Sequence, residues 1–229
     1  MFSYESYLSV APVCRAPCYR VDTHDRVNFI VIITPKLAWV HLPKTAGTTT
    51  DELFQASGIS LLWRDSQSSP AKHLPPSEHP SCNDLPLDGR QHVTNFRRLP
   101  HWLLSNYHHK LQRMKLELDS APMRDGLFWR ERAQQWLPAD WWIERFGIDE
   151  HWIFLRVEDL KSDFLSCLSF HEPIGRIARW RVRLVNGRNR ASYSRSIESW
   201  FTPSDLEKVY SANPRWTSFE RQLYGDLLI

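Results

Sequence analysis

The chain has no long apolar run: none of its 229 residues lies in a stretch near the about 18 needed to cross a bilayer as a helix. Its opening, MFSYESYLSVAPVCRAPCYR, also lacks the basic-then-apolar order of a secretory signal, so a cytoplasmic protein with no membrane partner is the expectation. Cysteine is scarce and scattered. Cys14, Cys18, Cys82 and Cys167 do not have the spacing of a disulfide framework, and Cys14/Cys18 has no second Cys/His pair at finger spacing, which leaves free thiols and no metal. An excess of one charge is missing too. With 29 Lys+Arg against 26 Asp+Glu the formal net charge is +3, too small to argue for a nucleic-acid partner or a membrane surface by field alone, so any anion site has to be local. There is no internal repeat and no low-complexity tract.

Hydrophobic residues make up 42% of the chain, enough for one sizeable core, and a single domain over residues 1–229 is expected, with residues 1–25 irregular. The runs VNFIVII (27–33) and LAWVHL (37–42), parted by TPK, read as neighbouring strands or one bent strand. A short helix over Asp51–Ala56 carries Leu53 and Phe54 and stops at Ser57-Gly58. Residues 64–90 hold five prolines and many Ser, Asp and Asn, which predicts a long irregular connection of the kind that carries function. QHVTNF (91–96) reads as a strand, and Pro100–Leu118 has helical spacing through Leu103, Leu104, Tyr107, Leu111 and Met114. Leu127–Phe146 reads as two short helices broken at Leu137-Pro138, with Asp140 as N-cap and Gly147 as stop. WIFLRV (152–157) reads as a buried strand, and two helices follow, one opening at Thr202-Pro203, the other near TSFERQLYG. Strands alternating with helices predict an α/β fold with a largely parallel sheet.

The chemistry concentrates in AWVHLPKTAGTTTDELF (38–54), where a lysine and three threonines surround a lone glycine after an apolar run. At a strand-to-helix turn the first backbone N–H groups have no intrahelical partner and the helix dipole adds positive charge, so a tetrahedral anion fits there. Gly47 permits a tight backbone, Lys44 supplies charge, and Thr45, Thr48 and Thr49 offer hydroxyls. A threonine-capped turn is the plainer reading, but it leaves the lysine and glycine unexplained. A Walker A loop would place the lysine after its second glycine, whereas here the lysine comes first.

The order Pro43-Lys44-Thr45-Ala46-Gly47-Thr48-Thr49 resembles the 5′-phosphosulfate loop of sulfotransferases that use 3′-phosphoadenylyl sulfate (PAPS). In the same family an arginine at a later strand exit is followed eight positions on by a serine and then an aromatic. Arg97, Ser105 and Tyr107 in FRRLPHWLLSNYHH fit that register, although Arg98-Leu99 stand where the family usually has Asp or Asn and then Pro. IFLRVEDLKSDF (153–164) is similar to the strand and acidic turn before the family's C-terminal helices, and ERQLYGDL resembles some members' C-termini. The resemblance implies a P-loop-like sulfotransferase fold, a three-layer sandwich around a mostly parallel sheet. It also implies that residues 44–49 hold the 5′-phosphate and sulfonate of PAPS, with Lys44 on the bridging oxygen, and that Arg97 and Ser105 hold the 3′-phosphate.

Sulfuryl transfer asks for positioning and charge stabilisation and needs no metal in principle. It does need a base for the acceptor proton, and histidine suits that near neutral pH. His73, in AKHLPP, lies between the two phosphate motifs and resembles a Lys-His segment of some bacterial members. His79 is its rival, with Glu52 and Glu78 as the next candidates. His41 reads as a packed core residue, and His108 and His109 as solvated. The tryptophans, notably Trp129, Trp136, Trp141, Trp142 and Trp152, read mainly as core. Arg188, Arg190 and Arg195 in VNGRNRASYSR read as a solvated face, with Arg188 the candidate to cover the 3′-phosphate as a late basic segment does in some family members. The expected activity is sulfuryl transfer from PAPS to a hydroxyl or amine of a small-molecule or carbohydrate acceptor. The alternatives are a nucleotide-dependent phosphotransferase with an atypical phosphate loop and a non-catalytic nucleotide-binding protein.

Overall fold

The computed structural model describes residues 31–65, 74–75, 78–79, 87, 89–187 and 192–229. Strand β1 (Val31–Ile33) turns back through Thr34-Pro35-Lys36 into β2 (Leu37–Val40), and the two pair antiparallel. The turn closes on Thr34, whose Oγ1 accepts from Leu37 N at 2.8 Å. From β2 the chain enters α1 (Gly47–Ser57), which ends at Gly58 in the left-handed conformation, then β3 (Trp63–Arg64), antiparallel to β1. β4 (Gln91–Phe96) lies parallel to β2, and β7 (Ile153–Arg156) lies parallel to β4, giving the order β3-β1-β2-β4-β7.

The sheet is therefore mixed, which overturns the expected mostly parallel three-layer sandwich: counting the separate hairpin described below, three of the five strand pairings are antiparallel. The reason lies in the link between the first two strands. A parallel crossover needs a dozen or more residues, and three allow only a hairpin.

After β4 come α2 (Leu99–Arg113), the short α3 (Ala121–Arg124) and a second correction. Leu127–Pro138 is not helical but a two-stranded hairpin, β5 (Leu127–Arg130) and β6 (Gln135–Pro138), with Trp129 and Trp136 paired across the strands at 5.6 Å. α4 (Asp140–Phe146) ends at the left-handed Gly147 as expected. Beyond β7, α5 (Leu160–His171) and α6 (Arg176–Leu184) precede α7 (Pro203–Ser211) and α8 (Pro214–Tyr224). α7 opens with the expected Thr202, in a reciprocal capping box with Asp205.

Alternation along the strands sorts the core. Ile32, Trp39, Val93 and Leu155 face Leu53 and Phe54 of α1, Phe164 and Leu168 of α5 and Val182 of α6. Val40 and Phe96 join a second cluster with Trp102 of α2, Ile143 of α4, Val209 of α7 and Trp216 of α8. Trp39, Trp102 and Trp216 are fully buried, and Trp102 and Trp216 meet at 5.0 Å.

Candidate functional site

The helices that follow the two neighbouring parallel strands leave in opposite directions: α1 packs in the cluster containing Trp39, and α2 in the cluster containing Phe96. The carboxyl ends of β2 and β4 therefore meet at a topological switch point, and it is in the crevice outside such strand ends that α/β sheets bind ligands. Both sequence motifs meet there, Lys44 beyond β2 and Arg97 beyond β4.

The loop 41–46 is held from three sides. Lys44 and Ala46 adopt left-handed φ values of 65° and 64°, which non-glycine residues keep only when their surroundings impose them. Trp102 Nε1 donates to Pro43 O at 2.7 Å, Arg97 Nη1 to Lys44 O at 3.4 Å, and Asn95 Nδ2 to Thr45 O at 2.6 Å. Asn95 also donates to Thr50 Oγ1 at 2.6 Å and accepts from Trp39 Nε1 at 3.0 Å, so it fastens loop, helix and strand together. Thr45 is fully buried and its hydroxyl donates to Leu42 O at 2.6 Å. Thr48 and Thr49, half-buried in the first turn of α1, carry the more accessible hydroxyls. Ala46 provides no side-chain cap, so no side chain occupies the first N–H groups of α1 at this N-cap. Gly47 is required sterically, since a Cβ there would stand 2.2 Å from His41 Nε2. His41 stacks on Trp39 at 5.7 Å, in agreement with its reading as a packed residue.

On the other wall, Arg97 and Arg98 diverge. The Arg97 carbonyl accepts from Trp216 Nε1 at 3.1 Å and Leu99 N donates to Glu220 Oε2 at 2.6 Å, so α8 fixes the turn from β4 into α2. Arg98 points to the C-terminal segment, where it meets Asp226 at 2.6 Å and lies 4.4 Å over the Tyr224 ring. Arg97 points into the crevice and its Nε is buried without a hydrogen-bond partner among the described residues. Along α2, His101, Ser105 and His109 share one side at four-residue spacing. Arg97 acts on His101 and Lys44 on His109, which places Ser105 between them on the crevice side.

The charges that act on Lys44 are all cations, whereas Glu158 acts on Arg97 and His101, and Glu131 on Lys110 and His109. Burial lowers the Lys44 ammonium to about 8, and Arg97, Lys110 and Arg113 push in the same direction. Among the described residues Lys44 Nζ makes no hydrogen bond or ion pair. His109 is lowered to about 4 by burial and by Lys44 and Lys110, so it is neutral at physiological pH. Lys110 is buried and ion-pairs with Glu131 beyond β5.

The other candidates are dispersed. His73 and Arg188 lie outside the described residues. His79 is buried in an ion pair with Asp65 at 2.9 Å, beside β3 and two strands from Lys44. Glu78 bonds Arg145 of α4 at 2.8 Å. His108, expected to be solvated, is buried and stacked on Tyr193 at 4.2 Å, and Tyr193 and Arg195 both act on Arg97. The stretch after α6 thus reaches the crevice at both ends: a Cβ on Gly187 would stand 4.0 Å from Thr49 Oγ1, and Ser192 O accepts from Gln112 Nε2 at 3.1 Å. Of the tryptophans, Trp142 and Trp152 are buried, while Trp129, Trp136 and Trp141 are half-buried.

Sequence reasoning missed Asn95, Trp102, Lys110 and His109. The recurrence of polar residues at 101, 105 and 109 was the available signal for the last. No group of three or more His, Cys, Asp or Glu placed to hold a metal ion occurs among the described residues, and no described helix is long and apolar enough to cross a membrane. Comparison of the chain with protein-family models, with curated proteins and with solved structures finds no match.

Proposed function

We propose that the crevice between β2 and β4 binds the nucleotide of 3′-phosphoadenylyl sulfate and that the protein transfers its sulfuryl group to a hydroxyl or amine. The observation that carries this reading is the pair of desolvated cations Lys44 and Arg97 beside the uncapped start of α1. Buried charges of one sign are costly by themselves and become favourable only with an anion between them. Two separate anchors, Lys44 at the loop and Arg97 at the second strand exit, suit a ligand with two anionic ends, as the resemblance to PAPS-dependent sulfotransferases implies.

In the proposed step the bond between sulfur and the bridging oxygen of the phosphosulfate breaks as a bond from sulfur to the acceptor atom forms. The electron pair stays on the departing phosphate, where Lys44 stabilises it, and the acceptor proton goes to a base. His73 is the base implied by the resemblance. His109 is a second candidate, because Lys44 and burial keep it neutral and it would regain basicity once an anion offset the neighbouring cations.

The test is incubation with sulfur-labelled PAPS and a panel of sugars, phenols and amines. Labelled product together with adenosine 3′,5′-bisphosphate supports the proposal. Failure to bind PAPS, or hydrolysis of ATP with magnesium in its place, contradicts it.

A further inference from the structure

Helix α6, RIARWRVRL, has two apolar sides and only one of them meets the protein. Val182 is buried and Ala178 and Val185 are half-buried on the side turned to the Trp39 cluster. Ile177, Trp180 and Leu184, at spacings of three and four, make a second stripe that is 76%, 61% and 55% exposed. At about 100° per residue the stripe is bordered by Arg176, Arg179 and Arg183 on one side and by Arg181 on the other. There is no acidic residue in the helix. Arg179 bonds Ser169 Oγ at 2.9 Å at the end of α5, and the next residue, Phe170, is 87% exposed.

Isolated exposed apolar residues are ordinary, but a tryptophan-centred stripe framed by arginines is the pattern of a helix lying in a lipid interface, with rings at headgroup depth and guanidinium groups among phosphates. An apolar protein partner would match the stripe but not the four arginines; an anionic bilayer matches both. We infer that α6 docks the protein on membranes rich in anionic phospholipid, contrary to the expectation of no membrane partner. The chain leaves α6 through Gly187, which approaches Thr49 at the crevice, so docking would set the site close to the headgroup layer. The inference stands independently of the nucleotide chemistry.

Vesicle co-sedimentation with the full chain tests it, using phosphatidylcholine alone and three parts phosphatidylcholine to one part phosphatidylglycerol. Binding to the mixed vesicles only is expected, weakening with added salt. The double variant Ile177→Ser, Trp180→Ser should lose about tenfold or more in affinity while its circular dichroism and melting temperature stay as in the wild type, because neither side chain is buried. Arg176→Ala with Arg183→Ala should lose binding to the mixed vesicles by a similar factor. No binding by the intact chain, equal binding to both vesicle types, or binding only after residues 1–30 are removed would overturn the inference. So would a dimer in sedimentation velocity that depends on Trp180, since the stripe would then be covered by a second copy.

Discussion

Two buried polar regions of this protein lie within one helix of each other and are built on opposite rules. Around the start of α8 nearly every charge has a partner. Asp140 accepts from Arg215 N at 2.8 Å and Trp216 N at 2.7 Å, Asn213 bonds Gly126 O and Val209 O, and Glu220 takes Leu99 N at 2.6 Å and the Tyr210 hydroxyl at 2.8 Å, with Arg98 nearby. Around Lys44 the neighbours are cations. The first region is architecture: it fixes the turn that carries Arg97. The second leaves Lys44 without an ion-pair partner among the described residues, the arrangement that the proposed anionic ligand would offset.

The contrast can be broken from either side. The largest effect expected is on chemistry: Lys44→Ala should lower turnover about a thousandfold, through about 4 kcal/mol of lost stabilisation of the leaving oxygen, with an unchanged fold by circular dichroism. An enzyme that keeps its rate without Lys44 would remove the residue from the mechanism. Next comes the matched region. Burial raises Glu220 to about 7 against the pull of its three donors, and Glu220→Ala should cost about 3 kcal/mol in urea unfolding by leaving Leu99 N, Tyr210 and Arg98 without it. Glu220→Gln should cost clearly less, and equal losses would show that packing rather than hydrogen bonding is at stake.

The third prediction concerns pH. A bound dianion should raise the Lys44 ammonium from about 8 toward its ordinary value, so binding takes up a proton above that pH. Affinity for adenosine 3′,5′-bisphosphate should then be fully present below pH 8 and fall as pH rises through it, by up to about tenfold per unit. Titration calorimetry in buffers of different ionisation enthalpy would show the uptake, and a flat profile between pH 7 and 9 would contradict it. The smallest effect is the most diagnostic of the contrast. Lys44→Met removes a desolvated cation without leaving a hole, so the ligand-free protein should gain about 1 kcal/mol, a few degrees in melting temperature. A loss would mean that Lys44 is matched after all.

Much of this was readable from the residues alone. Lysine before glycine fell at the turn from β2 into α1, Arg97 fell at the exit of β4, and Gly58, Gly147 and Thr202-Pro203 marked helix ends through chemistry that is local to the chain. What failed depended on distant partners. Asp140 looked like an N-cap for its own helix but caps α8, and His108 looked solvated until Tyr193 of a later segment covered it. The mixed sheet is a different case, since the three-residue TPK link already excluded a parallel pair between β1 and β2. In LFWR and QWLP the aromatic pairing that makes a hairpin of Leu127–Pro138 outweighed the helical spacing read there.

The central claim is that Lys44 and Arg97 hold the two ends of one nucleotide, and the most direct measurement compares adenosine 3′,5′-bisphosphate with adenosine 5′-phosphate by calorimetry on the wild type and Arg97→Ala. The account predicts that the wild type prefers the bisphosphate and that Arg97→Ala erases this preference, with affinity for adenosine 5′-phosphate nearly unchanged. Equal losses for both nucleotides, or a wild type that does not tell them apart, would contradict it.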